Sequence, residues 1–245
     1  MTTLLFAGHQ LRLQLRSPGI LALFIVGPLF IIFVFGQAFT AIFAAGNQGF
    51  SAMQYFGVTL LTMAVFQGSF LASWAVFKEK RSNTEARLGV APIGRVSATL
   101  GAFLGSWLSL AVIGCVVMAL GSVFLSIDYG DRPWLSALLV CAEALLAASL
   151  GVSLAVVFGQ ERAANGVMNA IVPLLVFIGG GYTIIPDSGL LHELARFSPI
   201  RWINLAMLDL ALPGPGEYVA AALTFSLAAS AALMTIACLR LWRKR

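Results

Sequence analysis

Six long apolar stretches alternate along the chain with short polar gaps, over residues 20–44, 55–77, 96–124, 134–158, 166–184 and 218–241. A helix rises 1.5 Å per residue, so about 20 residues cross about 30 Å of hydrocarbon, and each stretch is close to or beyond that length. The pattern predicts an all-α membrane protein with six transmembrane helices in one domain over residues 1–245. The first stretch follows two arginines but is too long for the apolar region of a cleaved signal, so it reads as a retained span.

Three gaps carry structure of their own. In residues 3–16, His9, Arg12 and Arg16 share one helical stripe and Leu4, Leu11 and Leu15 another, as an amphipathic helix in the membrane interface would. The run from Leu11 to Arg16 also alternates with period two, but a lone strand there would have no partner for its edge. Between spans two and three, Ser82 and Glu85 have capping-box spacing, and Gly89 and Pro92 stop the helix, giving a short surface helix over 82–89. After span five, Gly179, Gly180 and Gly181 break the helix, and residues 186–212 predict two short outer re-entrant helices. Ser188 caps the first. Ser198 and Pro199 open the second, with Ile203, Met207 and Leu210 along one face.

Charge then sets the topology. With the N-terminus cytoplasmic, 12 of the 15 basic residues fall on the inner side, and only Arg132, Arg196 and Arg201 lie outside. Six of the ten acids, Asp128, Asp131, Asp187, Glu193, Asp209 and Glu217, also lie outside, so both termini are expected in the cytoplasm of a cell with this protein in its inner membrane. Apolar residues make up 60% of the chain and charged residues 10%, which leaves too little polar surface for a soluble monomer. The net charge of +5 is therefore a topology signal, and with the cations spread over loops and tail no nucleic-acid partner is expected. Tyr55, Tyr129, Tyr182, Tyr218 and Trp134 sit at expected outer borders and Trp74 and Trp242 at inner ones, as interfacial anchors.

Several chemistries are excluded. Cys115, Cys141 and Cys238 lie on different spans without metal or redox spacing. The two histidines, His9 and His192, fall on opposite sides of the membrane, so no two-histidine metal site or Ser/His pair forms within one span. None of Lys78, Lys80 and Lys244 stands in a Gly-Lys-Ser/Thr phosphate loop. The chain is thus expected to be no enzyme and to hold no cofactor; ATP, if it drives the protein, is hydrolysed elsewhere. Gly101 and Gly105 form a GxxxG pair that permits close helix approach. Glu143 is the sole charge well inside a span, where an ionised carboxylate costs several kcal/mol unless paired or protonated. It reads equally as a functional acid or as a structural hydrogen-bonding group.

The stretch Lys78-Glu79-Lys80-Arg81, then Thr84-Glu85-Ala86-Arg87-Leu88 and Ala91-Pro92, resembles the loop between spans two and three of ABC-2 type transporter permeases. Phe197-Ser198-Pro199-Ile200-Arg201-Trp202 is similar to the Ser-Pro-x-x-Trp element before their last span. The resemblance covers the whole chain and implies a permease subunit paired with a second permease copy, as homodimer or heterodimer, and with two ABC ATP-binding subunits that carry ATP and Mg. It implies that 82–89 is a coupling helix, with Glu79, Thr84, Glu85, Arg87 and Leu88 meeting the ATPase, and that 3–16 is the interfacial helix in contact with membrane lipid. It further implies a path along spans one, two and five, with Phe30, Phe33, Thr59, Thr62, Gln67, Asn165 and Asn169 as candidates. The cargo expected is an amphipathic or hydrophobic drug, antibiotic or lipid, as in the daunorubicin-resistance type. The alternatives are a polysaccharide or glycolipid exporter of the same family, and a proton-coupled secondary transporter using Glu143.

Overall fold

The computed structural model describes residues 2–46, 50–81, 95–186, 188–212 and 214–243. Among them the chain forms α1 (Thr2–Leu15), α2 (Pro18–Ala38), α3 (Thr40–Ala45), α4 (Ala52–Gln67), α5 (Ser69–Arg81), α6 (Arg95–Leu125), α7 (Pro133–Phe158), α8 (Glu161–Ile178), α9 (Leu190–Ala195), α10 (Pro199–Ala211) and α11 (Glu217–Trp242), with no strand. Among the described residues six helical segments are long and apolar enough to cross a membrane: α2, α4 with α5, α6, α7, α8 and α11. The coupling helix expected over 82–89 lies outside the described residues, as does the side chain of Glu79.

Local chemistry sets the ends. Ser51 caps α4 by accepting from the Gln54 amide at 3.1 Å. Pro133 and Pro199 open α7 and α10, where a missing N–H is harmless. Gly159, at φ 71°, closes α7 in the left-handed conformation. The fifth span differs from the expected 166–184: it runs Glu161–Ile178, because the helix tolerates Glu161 and Arg162 in its first turn and Gly179 ends it. α9 also differs, starting after Gly189 at φ 101°, so Ser188 is not its cap. Ser198 does precede α10, yet its hydroxyl donates to the Leu175 carbonyl at 2.9 Å instead of capping.

Span four is the axis of the fold. In its most apolar stretch 78% of residues are buried, against 72% for span two and 11% for span one, so the bundle is built around α7. Its inward positions are small: Ala144, Ala147, Ala148, Gly151, Ser153 and Ala155 let neighbouring backbones approach closely. α11 meets it with Ala222, Ser226, Ser230 and Ala237, and the Ser153 hydroxyl donates to the Leu233 carbonyl at 2.8 Å. On another side, a methyl at Gly151 would sit 2.0 Å from the Ser69 carbonyl oxygen, just past the break between α4 and α5 at Gly68.

At the ends of α2 and α4 away from α1, Phe35, Phe39, Phe43, Phe50, Tyr55 and Phe56 pack ring against ring with centroids 5.3 to 6.0 Å apart. Two expected interfacial anchors are therefore core residues. Tyr55 is buried in this cluster, and Tyr129 is buried with its hydroxyl 3.4 Å from the Gly57 carbonyl. Burial pushes the Tyr129 phenol up, so it stays a donor. Trp134, Tyr218 and Trp242 are exposed, and Trp74 lies under the Lys78 ammonium at 4.6 Å. Cys115 and Cys141 meet as free thiols between α6 and α7.

The tight contact at Gly151 makes a stability prediction. Gly151→Ala forces the α5 backbone away and should destabilise by about 1–3 kcal/mol. Gly166→Ala, where an added methyl meets nothing within 4 Å, should be neutral or slightly stabilising. Thermal unfolding of both variants in detergent checks the pair; equal midpoints would refute the close approach.

Candidate functional site

Spans one, two and five line an open cavity of about 420 Å³. Leu23, Phe24, Gly27, Pro28 and Ile31 of α2 form one wall, Leu60, Met63, Ala64 and Gln67 of α4 with Phe70 of α5 the second, and Asn169 of α8 the third. Among the described residues the lining is apolar except for the Gln67 and Asn169 amides and carries no charge.

Each wall is a place where a helix departs from regular form. In α2 the turn Ala22–Val26 is π-helical, with the Gly27 amide bonded to the Ala22 carbonyl. Pro28 follows it and has no N–H for the carbonyls of Leu23 or Phe24. In α8, Pro173 has none for the carbonyl of Asn169. Span two is interrupted at Gly68, whose amide turns back to the Phe66 and Val65 carbonyls. Leu23, Phe24 and Asn169 all line the cavity, so backbone acceptors lose their usual donors where an apolar hollow meets two side-chain amides. Such a site can hold a greasy molecule by its surface and orient it by a few hydrogen bonds.

Of the residues expected along the path, the fold brings Gln67 and Asn169 together at this cavity. Asn165 lies one turn before Asn169, half-buried and outside the lining. Phe30 and Phe33 face outward from α2, exposed by 66% and 47%. Thr59 and Thr62 are fully buried, and Thr62 turns to α10. Sequence reasoning passed over Pro28 and Pro173, although a proline inside an apolar run is the standing signal for a locally broken helix.

The outer segment is latched to the bundle by a second set of polar contacts. The Thr62 hydroxyl donates to Asn204 Oδ1 at 2.5 Å, and Asn204 Nδ2 donates to the Gly179 carbonyl at 2.9 Å. The Tyr55 hydroxyl donates to the Gly180 carbonyl at 2.7 Å. α10 buries Ile203, Met207 and Leu210 beneath this latch. The glycine corner, whose carbonyls no longer serve a helix, is thus satisfied by side chains of span two and α10.

Glu143 is fully buried, and neither of its carboxyl oxygens has a hydrogen-bond partner among the described residues. Positions two apart on a helix are about 200° apart. Glu143 therefore projects from the side of α7 opposite Cys141, whose carbonyl accepts from Trp107 of α6 at 3.0 Å.

No curated protein sequence matches the chain. Residues 40–239 match the family model described as ABC-2 family transporter protein, a membrane component of ABC transport systems. That match covers most of the chain, from the end of span one through span six. With six helices among its described residues long and apolar enough to cross a membrane, the chain is a multi-pass membrane protein and belongs to the ABC-2 transporter family.

Proposed function

We propose that this chain is the permease subunit of an ATP-driven exporter whose cargo is amphipathic or hydrophobic, such as a drug, antibiotic or lipid, and that it resembles the daunorubicin-resistance type. The observation that carries the reading is the cavity: an apolar hollow with two amides and no charge favours such a cargo over a polysaccharide, which would need many polar partners. The ATPase is a separate chain, two copies of which hold ATP and Mg. A second permease copy covers the long apolar faces that α2 and α8 leave open, where Phe30, Leu174 and Phe177 are exposed. The distribution of basic residues supports both termini on the cytoplasmic side of an inner membrane.

Transport reconstituted with the ATPase tests the cavity. The Gln67→Leu/Asn169→Leu double variant removes both side-chain amides of the described lining, and should raise the half-saturating cargo concentration about tenfold or more while ATPase association is unchanged. Unaltered saturation would move the cargo site elsewhere.

The coupling assignment rests on the Thr84-Glu85-Ala86-Arg87-Leu88 motif. Alone, the chain should hydrolyse no ATP. Leu88→Asp should weaken co-purification of the ATPase by roughly 2–5 kcal/mol, since it replaces an apolar anchor with an unpaired charge. ATP hydrolysis by the isolated chain, or unchanged co-purification, would refute the contact.

Glu143 favours a second reading, a proton-coupled carrier, because a buried carboxyl with no partner among the described residues is a proton site in waiting. Under the exporter reading, Glu143→Gln preserves shape and leaves most ATP-driven transport intact, and a collapsed proton gradient has no effect. Uphill transport driven by a pH gradient without ATP, lost in Glu143→Gln, would establish the carrier instead.

A further inference from the structure

α1 has three faces rather than the two that its leucines and cations predict. Ala7, Gln10 and Gln14 lie on one side and are buried against α6. There a methyl added at Gly101 would sit 2.5 Å from Phe6 Cβ, one at Gly105 would sit 2.7 Å from Gln10 Cβ, and Gln14 Nε2 donates to Ser106 Oγ at 3.2 Å. The GxxxG pair of span three is thus occupied by α1. With 100° between successive residues, the face of α1 opposite this contact holds His9, Arg12 and Arg16.

These three side chains, with Leu13 and Ser17, line an open cleft of about 270 Å³. Arg12 and Arg16 stand one turn apart, a spacing at which like charges repel, and among the described residues no carboxylate pairs with either. An anion in the cleft relieves that repulsion. Guanidinium forks suit phosphate oxygens, and His9 and Ser17 can add donors to the same group. Two features tie the anion to lipid. Leu4 and Leu5 are 71% and 66% exposed, and Leu5 lies on the cationic face itself. Ser17 leads directly into Pro18, the first residue of span one, so the cleft sits where that helix enters the hydrocarbon. Exposed leucines beside paired arginines match a headgroup joined to an acyl chain, and a soluble phosphate has no use for them.

We propose that this cleft is a binding site for an anionic phospholipid of the leaflet on whose side the chain begins: Arg12 and Arg16 hold its phosphate and Leu5 lies along its glycerol and acyl region. The site is independent of the cargo cavity and of the exporter reading.

The test uses the full chain in nanodiscs of phosphatidylcholine with increasing phosphatidylglycerol. Retained lipid is read by native mass spectrometry and the unfolding midpoint by thermal scan. Phosphatidylglycerol should be retained and raise the midpoint, phosphatidylcholine should do neither, and inorganic phosphate should not displace the lipid. Arg12→Ala/Arg16→Ala should weaken phosphatidylglycerol binding roughly 25-fold, about fivefold per residue, with the midpoint in phosphatidylcholine unchanged. Arg12→Lys/Arg16→Lys, which keeps the charge but not the fork, should fall between. Should the alanine variant not fold, the lysine variant and the salt dependence decide, and wild-type retention that persists undiminished in high salt overturns the proposal. Equal retention of the two lipids overturns it too. Displacement by inorganic phosphate would make the cleft a soluble-anion site. Wild-type lipid binding with lost ATPase co-purification in the alanine variant would make it a protein-docking surface.

Discussion

Hydrocarbon offers no water to an unmade backbone hydrogen bond, and each amide or carbonyl left without a partner there costs several kcal/mol. Everything distinctive in this fold follows from how that constraint is met where helices are not regular. Span one is π-helical and carries Pro28, span two breaks at Gly68, span five carries Pro173, and span five ends in three glycines. The breaks in spans one, two and five gather around one cavity, and the glycine corner is tied down by Tyr55 and Asn204.

The two clusters do different work because their surroundings differ. At the glycine corner every named carbonyl is answered by a buried side chain, and the aromatic group around Tyr55 and Phe56 packs alongside. That arrangement is closed and self-satisfied, which makes it a structural plug. At the cavity the Gln67 and Asn169 amides stand in an otherwise apolar lining. A few polar groups in an apolar hollow are the means by which such hollows can orient a small molecule.

Small residues govern the rest of the packing. Between membrane helices dispersion and close backbone approach replace the hydrophobic drive of soluble cores, so Gly151 against Ser69, and Gly101 and Gly105 against α1, are the joints of the bundle. Because α7 uses small side chains on several sides, α4, α5, α6 and α11 can all reach it. The consequence is that α2, α8 and much of α11 lie at the periphery with their larger apolar residues exposed.

Sequence by itself determined the number of spans, the helical class, the short interrupted outer segment and the family resemblance, because long apolar runs bounded by charge have one low-energy form in a bilayer. It also singled out Gln67 and Asn169, amides conspicuous in such runs, which the fold brings to one cavity. It could not choose faces. When nearly every position of a span is apolar, hydropathy does not distinguish a lipid-facing residue from a core one, so Tyr55 and Tyr129 read as interfacial anchors and Phe30 and Phe33 as lining. Nor could it say what the GxxxG pair of span three would meet, or that the Gln10 and Gln14 stripe of α1 would be the buried one. Only the tertiary structure decided these matters, because they depend on which small residues allow which backbones to touch, and on which broken turns come to share a hollow.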